Sequence, residues 1–393
     1  MDQKFSTLSR PLTAVILSLS GLFFRHQNLY HRELWNDEIY QLSLTRGRLR
    51  PFWENQSYGD LSGFAGDYLL TYPFVQWFDP NKWGMAIPHI LSTILGFYLL
   101  YVVCDKYCKT ALGFFVAFAI AACNGNLIFH SFELRPYAVL PTLALGSFFC
   151  ADALVNRFSQ LSMAKKVGAG FFYVVNLFYH AFGLLIVAFP LLYFFLSRKW
   201  YFIFNKENKG LVTFLLMVFA IGLPIWFHYA TMNPNNLSRD VFLEQGIHTF
   251  AILPNPLDGF RKFFDRTVFY NLIGFKPLYF FLGGLVFLIV VPFKQKREKV
   301  MFFLITVLLP LEVIFLSVLI KGYWFLDRQY VHLSPLFAVF LGMLWDSAFS
   351  YYIAALKKRA KLSVREILGF VLMAGCFTAG MINLIVYLVR LFF

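Results

Sequence analysis

Apolar runs of about 20 residues, separated by short charged segments, recur along the chain and constrain its fold more than any other feature. A run of that length crosses the hydrocarbon core of a bilayer as an α-helix. Charged residues make up 14% of the 393 residues, whereas a soluble domain carries about a quarter. The sequence therefore predicts an all-α, polytopic integral membrane protein and argues against a large soluble core.

About eleven transmembrane helices are predicted from the runs and the charges that flank them. Residues 167–197 are divided into two short helices that meet at His180, because roughly thirty apolar residues exceed one comfortable crossing. One long kinked helix is the alternative for this stretch. The predicted spans are 11–29, 84–103, 111–129, 137–154, 167–179, 181–197, 211–230, 277–293, 300–320, 331–349 and 366–389.

The formal net charge of +14 follows the predicted topology. With a cytoplasmic N-terminus, the inner side receives 20 of the 35 Lys and Arg residues but 7 of the 21 acids, as the positive-inside rule requires. This orientation puts most acids and the potentially catalytic residues on the extracytoplasmic side. The surrounding lipids are expected to be those of a bacterial inner membrane. This topology accounts for the basic surplus, and no nucleic-acid partner is expected.

Two long segments, 30–82 and 231–276, are expected on the extracytoplasmic side because they are too polar to cross lipid. Each contains an amphipathic stretch, 38–48 and 259–270, that is expected to lie along the membrane surface as a juxtamembrane helix. No separate soluble domain is evident between the spans. Residues 1–393 are therefore predicted to form a single membrane unit.

The first outside segment opens with the adjacent carboxylates Asp37 and Glu38. Mutual repulsion and partial burial would raise a carboxyl pKa, which suits a general base near neutral pH. The alternative is a solvated acidic pair beside Trp35 and Tyr40 at the interface. The two carboxylates could share a divalent cation, but no dense acidic cluster demands a metal, and no cofactor is expected.

Other candidate residues lie at the outer ends of later helices. Arg135 can bind a phosphate, or it can form an ion pair with Glu133 within the short turn. His180 can bind phosphate, carry a proton or ligate a metal, unless it has a purely structural hydrogen-bonding role. Arg328 can bind an anion, pair with Asp327 or extend to the interface.

Glu312 is the one carboxylate deep within a predicted span, where ionisable groups are costly. It is interpreted as a structural hydrogen-bonding group or as a proton site.

The order of these motifs resembles that of GT-C glycosyltransferases, especially the branch of protein mannosyltransferases and the lipid A aminoarabinose transferase. The resemblance covers residues 10–200 well and 320–345 moderately, whereas the residues between agree in hydropathy alone. The motifs are Trp-Asn-Asp-Glu at 35–38, Glu-Leu-Arg-Pro-Tyr at 133–137, Tyr-His at 179–180 and Asp-Arg-Gln-Tyr at 327–330.

The resemblance implies a sugar donor linked to polyprenyl phosphate and transfer at the outer face by inverting displacement. The acceptor is a lipid, a glycan or a protein, and the transferred group is a hexose or a pentose. The implied general base is Asp37, with Glu38 in support. The implied phosphate-binding residues are Arg135, His180, Arg328 and Tyr137, and possible supporting residues are Glu133, Asp67 and Tyr68.

The sequence departs from the family pattern before the second predicted span. Many relatives have a His-Pro-Pro-Leu-Tyr-like stretch there, whereas this chain has residues 67–73 near that position. Contacts of the donor or the acceptor with this region are therefore not carried over from the family.

Three other functions remain open. An O-antigen-ligase-like transferase would use a pyrophosphate-linked donor and a large outside segment, for which the basic residues within 231–276 are candidates. A transporter or flippase of lipid-linked sugars would carry polar residues at mid-depth and inverted repeats, whereas most spans here consist of Phe, Leu and Val. A non-catalytic membrane scaffold is the third.

Overall fold

The computed structural model is helical throughout the part of the chain that it describes. For some residues that description covers the backbone and not the side chains, namely 3–8, 36–37, 207, 315, 317–321, 327–329, 356–357, 365, 387–388 and 391–392. The described residues are 3–31, 33–47, 64–78, 82–133, 135–198, 205–231, 282–283, 286, 297–321, 327–357 and 363–392.

Fourteen α-helical segments follow one another, and no strand occurs within those ranges. They are joined by turns and by short 3₁₀ helices, notably Pro136–Ala138 and Asp327–Leu333, and the prediction of an all-α fold is confirmed. The helices are α1 Gln3–His31, α2 Asn36–Arg46, α3 Gly66–Trp77, α4 Lys82–Tyr107, α5 Ala111–Cys123, α6 Gly125–His130, α7 Leu140–Arg157, α8 Met163–Tyr179, α9 Gly183–Ser197, α10 Lys209–Thr231, α11 Arg297–Phe303, α12 Leu309–Lys321, α13 Ser334–Lys357 and α14 Val364–Phe392.

Four described stretches are long and apolar enough to cross a membrane, and two shorter apolar helices, α5 and α9, accompany them. The predicted number of eleven is not established by this set, and most of the predicted span 277–293 lies outside the described residues. The four stretches are Lys82–Tyr107, Lys209–Thr231, Tyr330–Ala355 and Glu366–Val386.

The division of residues 167–197 at His180 is confirmed, since α8 ends at Tyr179 and α9 begins at Gly183. His180 itself is extended, with φ −158° and ψ 158°. The chain then turns so tightly that a Cβ atom at Gly183 would lie 1.8 Å from the carbonyl oxygen of Asn176. Glycine is therefore required for this turn.

The prediction of one continuous span at 111–129 is wrong, because the helix breaks at Asn124. The Asn124 side chain accepts a 2.9 Å hydrogen bond from the Leu127 backbone N–H and thereby caps α6. An amide side chain competes with the backbone for hydrogen bonds and is favoured at such a cap. The hydropathy of the surrounding Ala and Phe residues concealed this break.

The carbonyl groups at the end of α5 are satisfied by Arg25 of α1. Its guanidinium donates to the carbonyl oxygens of Ala122 at 2.8 Å and Ala121 at 3.5 Å, and it lies 5.0 Å from the centre of the Phe97 ring. The side chain is buried. A cation at the negative end of a helix is favourable, so Arg25 stabilises the break from the neighbouring helix.

Among the described elements, α5 and α13 pack most extensively against each other. A Cβ atom at Gly342 would lie 2.5 Å from the carbonyl oxygen of Gly113. Small residues permit such close contact between membrane helices, where packing takes the place of the hydrophobic effect as the driving force. This crossing fixes the frame on which the site is built.

Helices α2 and α3 lie in segment 30–82, which is predicted to be extracytoplasmic, and they position the candidate site. The predicted helix 38–48 is present as α2, whereas α3 was not predicted at all. Helix α3 packs against α2, α4 and α8. It therefore connects the first outside segment to the membrane helices. The other predicted juxtamembrane helix, 259–270, lies outside the described residues.

Candidate active site

The predicted catalytic pair lies in the first turn of α2, but its two members differ in what the structure describes. Glu38 is buried, and its Oε2 accepts a 2.9 Å hydrogen bond from the backbone N–H of Trp35. This is the return bond of a capping box; Trp35 has no side-chain acceptor to complete it. The Asp37 backbone is in the same turn, and its side chain lies outside the described part.

A buried cluster around Asp67 ties α2 to three other helices. Gln41 of α2 donates from Nε2 to Asp67 Oδ2 at 2.6 Å. The other carboxylate oxygen, Oδ1, lies 3.0 Å from Nε2 of His89 in α4 and accepts a 2.5 Å bond from the Tyr179 hydroxyl in α8. Asp67 is 1% exposed and His89 is 0% exposed. A buried charge is tolerated when it is paired and hydrogen-bonded in this way.

The surroundings of Asp67 favour its ionised form. Burial alone raises the pKa of the carboxyl, but the charge of His89 and the hydrogen bonds from His89, Gln41 and Tyr179 together outweigh it, so the pKa lies below its usual value. Asp67 is thus suited to hold its neighbours in place as a permanent anion. It is less suited to exchange a proton near neutral pH.

The approach of α3 to α8 depends on Gly66, the residue before Asp67. A Cβ atom at Gly66 would lie 2.5 Å from Cα and 2.6 Å from Cδ2 of Tyr179. The clash with Cα could be relieved only by moving backbone. Gly66 therefore permits the Tyr179 hydroxyl to reach Asp67. Tyr68, a predicted supporting residue, is also buried, and it packs in a small cluster with Ala65.

The second group of candidates surrounds the short turn after α6. Glu133, Arg135 and Tyr137 are all buried. The Glu133 carboxylate lies 2.5 Å from Nδ1 of His130, the last residue of α6. Glu133 therefore has a histidine partner that the sequence reading did not consider.

His180 joins this second group through its ring. Its centroid lies 5.6 Å from that of Tyr137 in an edge-to-face arrangement. The backbone N–H of Phe182 donates to His180 Nδ1 at 3.1 Å. Nδ1 is thus the acceptor in this bond, which leaves Nε2 as the N–H of a neutral ring. Tyr137 and His180, both predicted as phosphate-binding residues, are thus in contact with each other. The structure does not identify a ligand for them.

Arg328 and Glu312 are the two remaining candidates, and the structure gives less detail on their surroundings. The Arg328 backbone belongs to the 3₁₀ helix Asp327–Leu333, which packs against α6 and α7, while its side chain lies outside the described part. Glu312 is half-buried in the first turn of α12. Among the residues with described side chains, no group of three or more His, Cys, Asp or Glu residues is arranged to hold a metal ion.

A small, partly open cavity of about 40 Å³ lies beside the second group. Its lining is mostly apolar and includes Arg25, Phe97, Tyr137 and Val331. The cavity thus combines an apolar wall with a buried guanidinium and a phenol hydroxyl.

Several residues of these clusters were missed by sequence reasoning. His89 and Arg25 are ionisable residues inside predicted spans, and that rarity was a usable signal. His130 and Gln41 follow no motif in the sequence, and Tyr179 was noted only as the neighbour of His180. Their partners are distant along the chain, so only the tertiary structure identifies the contacts.

The described helices form an all-α membrane-protein fold that is GT-C-like. Two similar structures are those of ArnT, an aminoarabinose transferase, from Cupriavidus metallidurans. The one bound to undecaprenyl phosphate has a TM-score of 0.50 and 13% sequence identity, covering 96% of this chain and 74% of that one. The apo form has the same TM-score and coverage at 12% identity.

This likeness confirms the expected GT-C-like fold, and at such low identity it shows the fold alone. No family model matches the sequence, and no curated protein matches it either.

Proposed function

We propose that this chain is a glycosyltransferase that moves a sugar from a polyprenyl-phosphate donor to a lipid, glycan or protein acceptor. The observation that carries the proposal is the anchoring of α2. This helix has Asp37 in its first turn and is tied through Gln41 to the buried Asp67. This arrangement occurs in a fold similar to that of ArnT, which has been crystallised with undecaprenyl phosphate.

The anchoring supports Asp37 as the general base. Glu38 fixes the start of α2 through Trp35, and Gln41 fixes the next turn through Asp67. The first turn of a helix also favours a carboxylate as an anion, the form that a base requires. Two ties on the same helix therefore hold the Asp37 backbone in a constant position.

The proposed reaction is a single displacement. Asp37 takes the proton of an acceptor hydroxyl while that oxygen forms a bond to the anomeric carbon. The bond from this carbon to the phosphate oxygen breaks, and the polyprenyl phosphate leaves with the electron pair. The anomeric centre is inverted. The leaving group needs no nucleotide, but it gains negative charge that the protein must stabilise.

The groups proposed to stabilise that charge are Arg135, His180, Tyr137 and Arg328. Arg135 and His180 are buried at the outer ends of helices, where a phosphate would lose most of its hydration. We place this site on the extracytoplasmic face of a bacterial inner membrane.

The alternative with a pyrophosphate-linked donor depends on basic residues within 231–276. These lie outside the described residues. A divalent cation shared by Asp37 and Glu38 is not part of the proposed mechanism, because Oε2 of Glu38 is engaged at the start of α2.

The proposal is tested with purified protein and a panel of undecaprenyl-phosphate sugars, with products identified by mass spectrometry. We expect one donor to be consumed with release of undecaprenyl phosphate. Asp37→Asn is expected to slow this by about 10²- to 10⁴-fold, since a neutral amide cannot accept the proton. Asp105→Asn is the matched control, because Asp105 forms an exposed ion pair with Arg10, and it should retain full activity.

Undecaprenyl phosphate binding, measured in parallel, should be the same in both variants. Turnover of no donor by the wild-type protein would contradict the proposed function. An undiminished rate in Asp37→Asn would contradict the role of Asp37.

A further inference from the structure

The buried pair of His130 and Glu133 is not explained by helix packing alone. Its Nδ1–Oε2 distance is 2.5 Å, and the two side chains are 7% and 5% exposed. An ionised carboxylate can only accept, so the imidazole donates its Nδ1–H to Glu133. This fixes the orientation of the ring, as a carboxylate partner does for histidines in active sites.

The pair lies where the elements of the proposed site meet. Helix α6, which ends at His130, packs against α1 and against both the 3₁₀ helix Pro136–Ala138 and the 3₁₀ helix Asp327–Leu333. On one side, Phe129 contacts Trp35 with ring centroids 5.2 Å apart. On the other, the His130 ring lies 6.5 Å from that of Tyr137. His130 is therefore placed between the start of α2 and the proposed phosphate-binding group.

The free edge of the ring is suited to an anion. No residue in the described part of the chain forms a hydrogen bond with His130 Nε2. A neighbouring carboxylate and the end of a helix both interact favourably with a charged imidazole, and a charged imidazole carries a second donor at Nε2. The lipid phosphate changes from a singly charged diester to a doubly charged monoester during the proposed transfer. A donor placed there stabilises the product charge.

We propose that His130, oriented by Glu133, donates a hydrogen bond from Nε2 to the phosphate of the lipid carrier. This inference rests on the proposed function and adds a residue to it. His130 keeps its proton throughout, so the balance of the displacement is unchanged: Asp37 takes the acceptor proton and the phosphate takes the electron pair. Glu133 acts through His130 as a positioning residue.

The test uses two amide substitutions that each replace one ring nitrogen. His130→Asn places an N–H near the position of Nδ1 and keeps the bond to Glu133, but it removes the donor at Nε2. His130→Gln extends an N–H towards the position of Nε2. Binding of undecaprenyl phosphate to each detergent-solubilised variant is measured, with undecaprenol as the probe that lacks the phosphate.

We expect His130→Asn to weaken undecaprenyl phosphate binding on the order of tenfold, the loss expected for one charge-assisted hydrogen bond. His130→Gln should stay within about threefold of the wild type. Undecaprenol binding should be the same in all three proteins. This order of affinities supports the inference, because affinity is kept when an N–H remains near the position of Nε2 and is lost when only the bond to Glu133 remains.

A structural role gives the opposite order. His130→Asn would then resemble the wild type in binding and in melting temperature, and His130→Gln would be the impaired variant. That order, or equal phosphate binding by all three proteins, overturns the inference and leaves the proposed function standing. Failure of the wild-type protein to bind undecaprenyl phosphate would instead overturn the proposed function, and with it this inference.

Discussion

Replacement of Asp67 by asparagine tests whether the buried cluster holds α2 and α3 to α4 and α8. Three donors converge on this carboxylate, from Gln41, His89 and Tyr179. The neutral amide keeps one acceptor oxygen, and the bonds to it weaken by about 1 kcal/mol each because hydrogen bonds to a charged group are stronger. The NH₂ group that replaces the other carboxylate oxygen cannot accept a hydrogen bond from the donor that faces it. The amide also avoids the cost of burying a charge, which offsets part of this loss.

The expected net loss from Asp67→Asn is about 2 kcal/mol, which lowers the melting temperature by roughly 4 °C. Thermal melting of the detergent-solubilised protein, followed by size-exclusion chromatography, measures it. Asp105→Asn makes the same chemical change in an ion pair with Arg10, where Asp105 is 48% exposed. Exposed pairs contribute about 0–1 kcal/mol, so this control should melt close to the wild type.

The pH dependence gives a second measurement on the same variant. Because the pKa of Asp67 is lowered in the folded protein, its stabilising contribution is present above the pKa of the unfolded chain, about 3.9. It is lost as the pH falls through the lower, folded value. The difference in melting temperature between the wild type and Asp67→Asn should be constant from pH 8 to about 5 and narrow below about 4.

Two results would refute the reasoning on Asp67. One is an equal loss of melting temperature in the Asp67 and Asp105 variants, which would mean that burial of the cluster adds nothing. The other is a difference that widens as the pH falls from 5 to 3, which would mean that the folded state favours the protonated carboxyl.

Two glycine substitutions test the close helix contacts. Gly66→Ala should destabilise the protein by about 1–3 kcal/mol, because its Cβ would lie 2.5 Å from the α8 backbone; Gly168→Ala in α8, with no atom within 4 Å, is the control and should match or exceed the wild type in melting temperature. Gly342→Ala at the α5–α13 crossing should lower the free energy of unfolding by a similar amount. Its control is Gly375→Ala, because no atom lies within 4 Å of a Cβ added there. A glycine variant that melts together with its control would contradict the contact in question.

Hydropathy predicted the helical class and most helix positions because lipid leaves few other ways to satisfy a backbone. It also placed the division near His180, where the length of the apolar run exceeds one crossing. It missed the break at Asn124, because one polar residue among apolar neighbours barely changes an average. It missed α3 for a related reason: its apolar residues, such as Tyr68 and Val75, follow no clear helical stripe in the sequence.

The sequence predicted where the candidate site lies along the chain but not which side chains contact each other. Glu133, Tyr137 and His180 lie beside helix ends that the sequence predicts on one side of the membrane, and the helices of one bundle bring such ends together. The partners of Asp67 are a different matter: His89 is 22 residues away and Tyr179 is 112 residues away. Only the packing of α3 between α4 and α8 makes them neighbours. The charged residues that mattered most in the structure were therefore the ones without a sequence motif.

The interruption at Asn124 has a consequence for how the chain enters the membrane. Helix α5 has 13 residues, about 20 Å of helix, whereas the hydrocarbon core is about 30 Å thick. It is too short to cross alone, and its last carbonyl groups would lie within the membrane without hydrogen-bond partners. Arg25 precedes α5 in the chain, so the group that satisfies these carbonyls is synthesised before the helix end that needs it. We therefore expect α1 to be inserted first during biogenesis and α5 to pack against it afterwards.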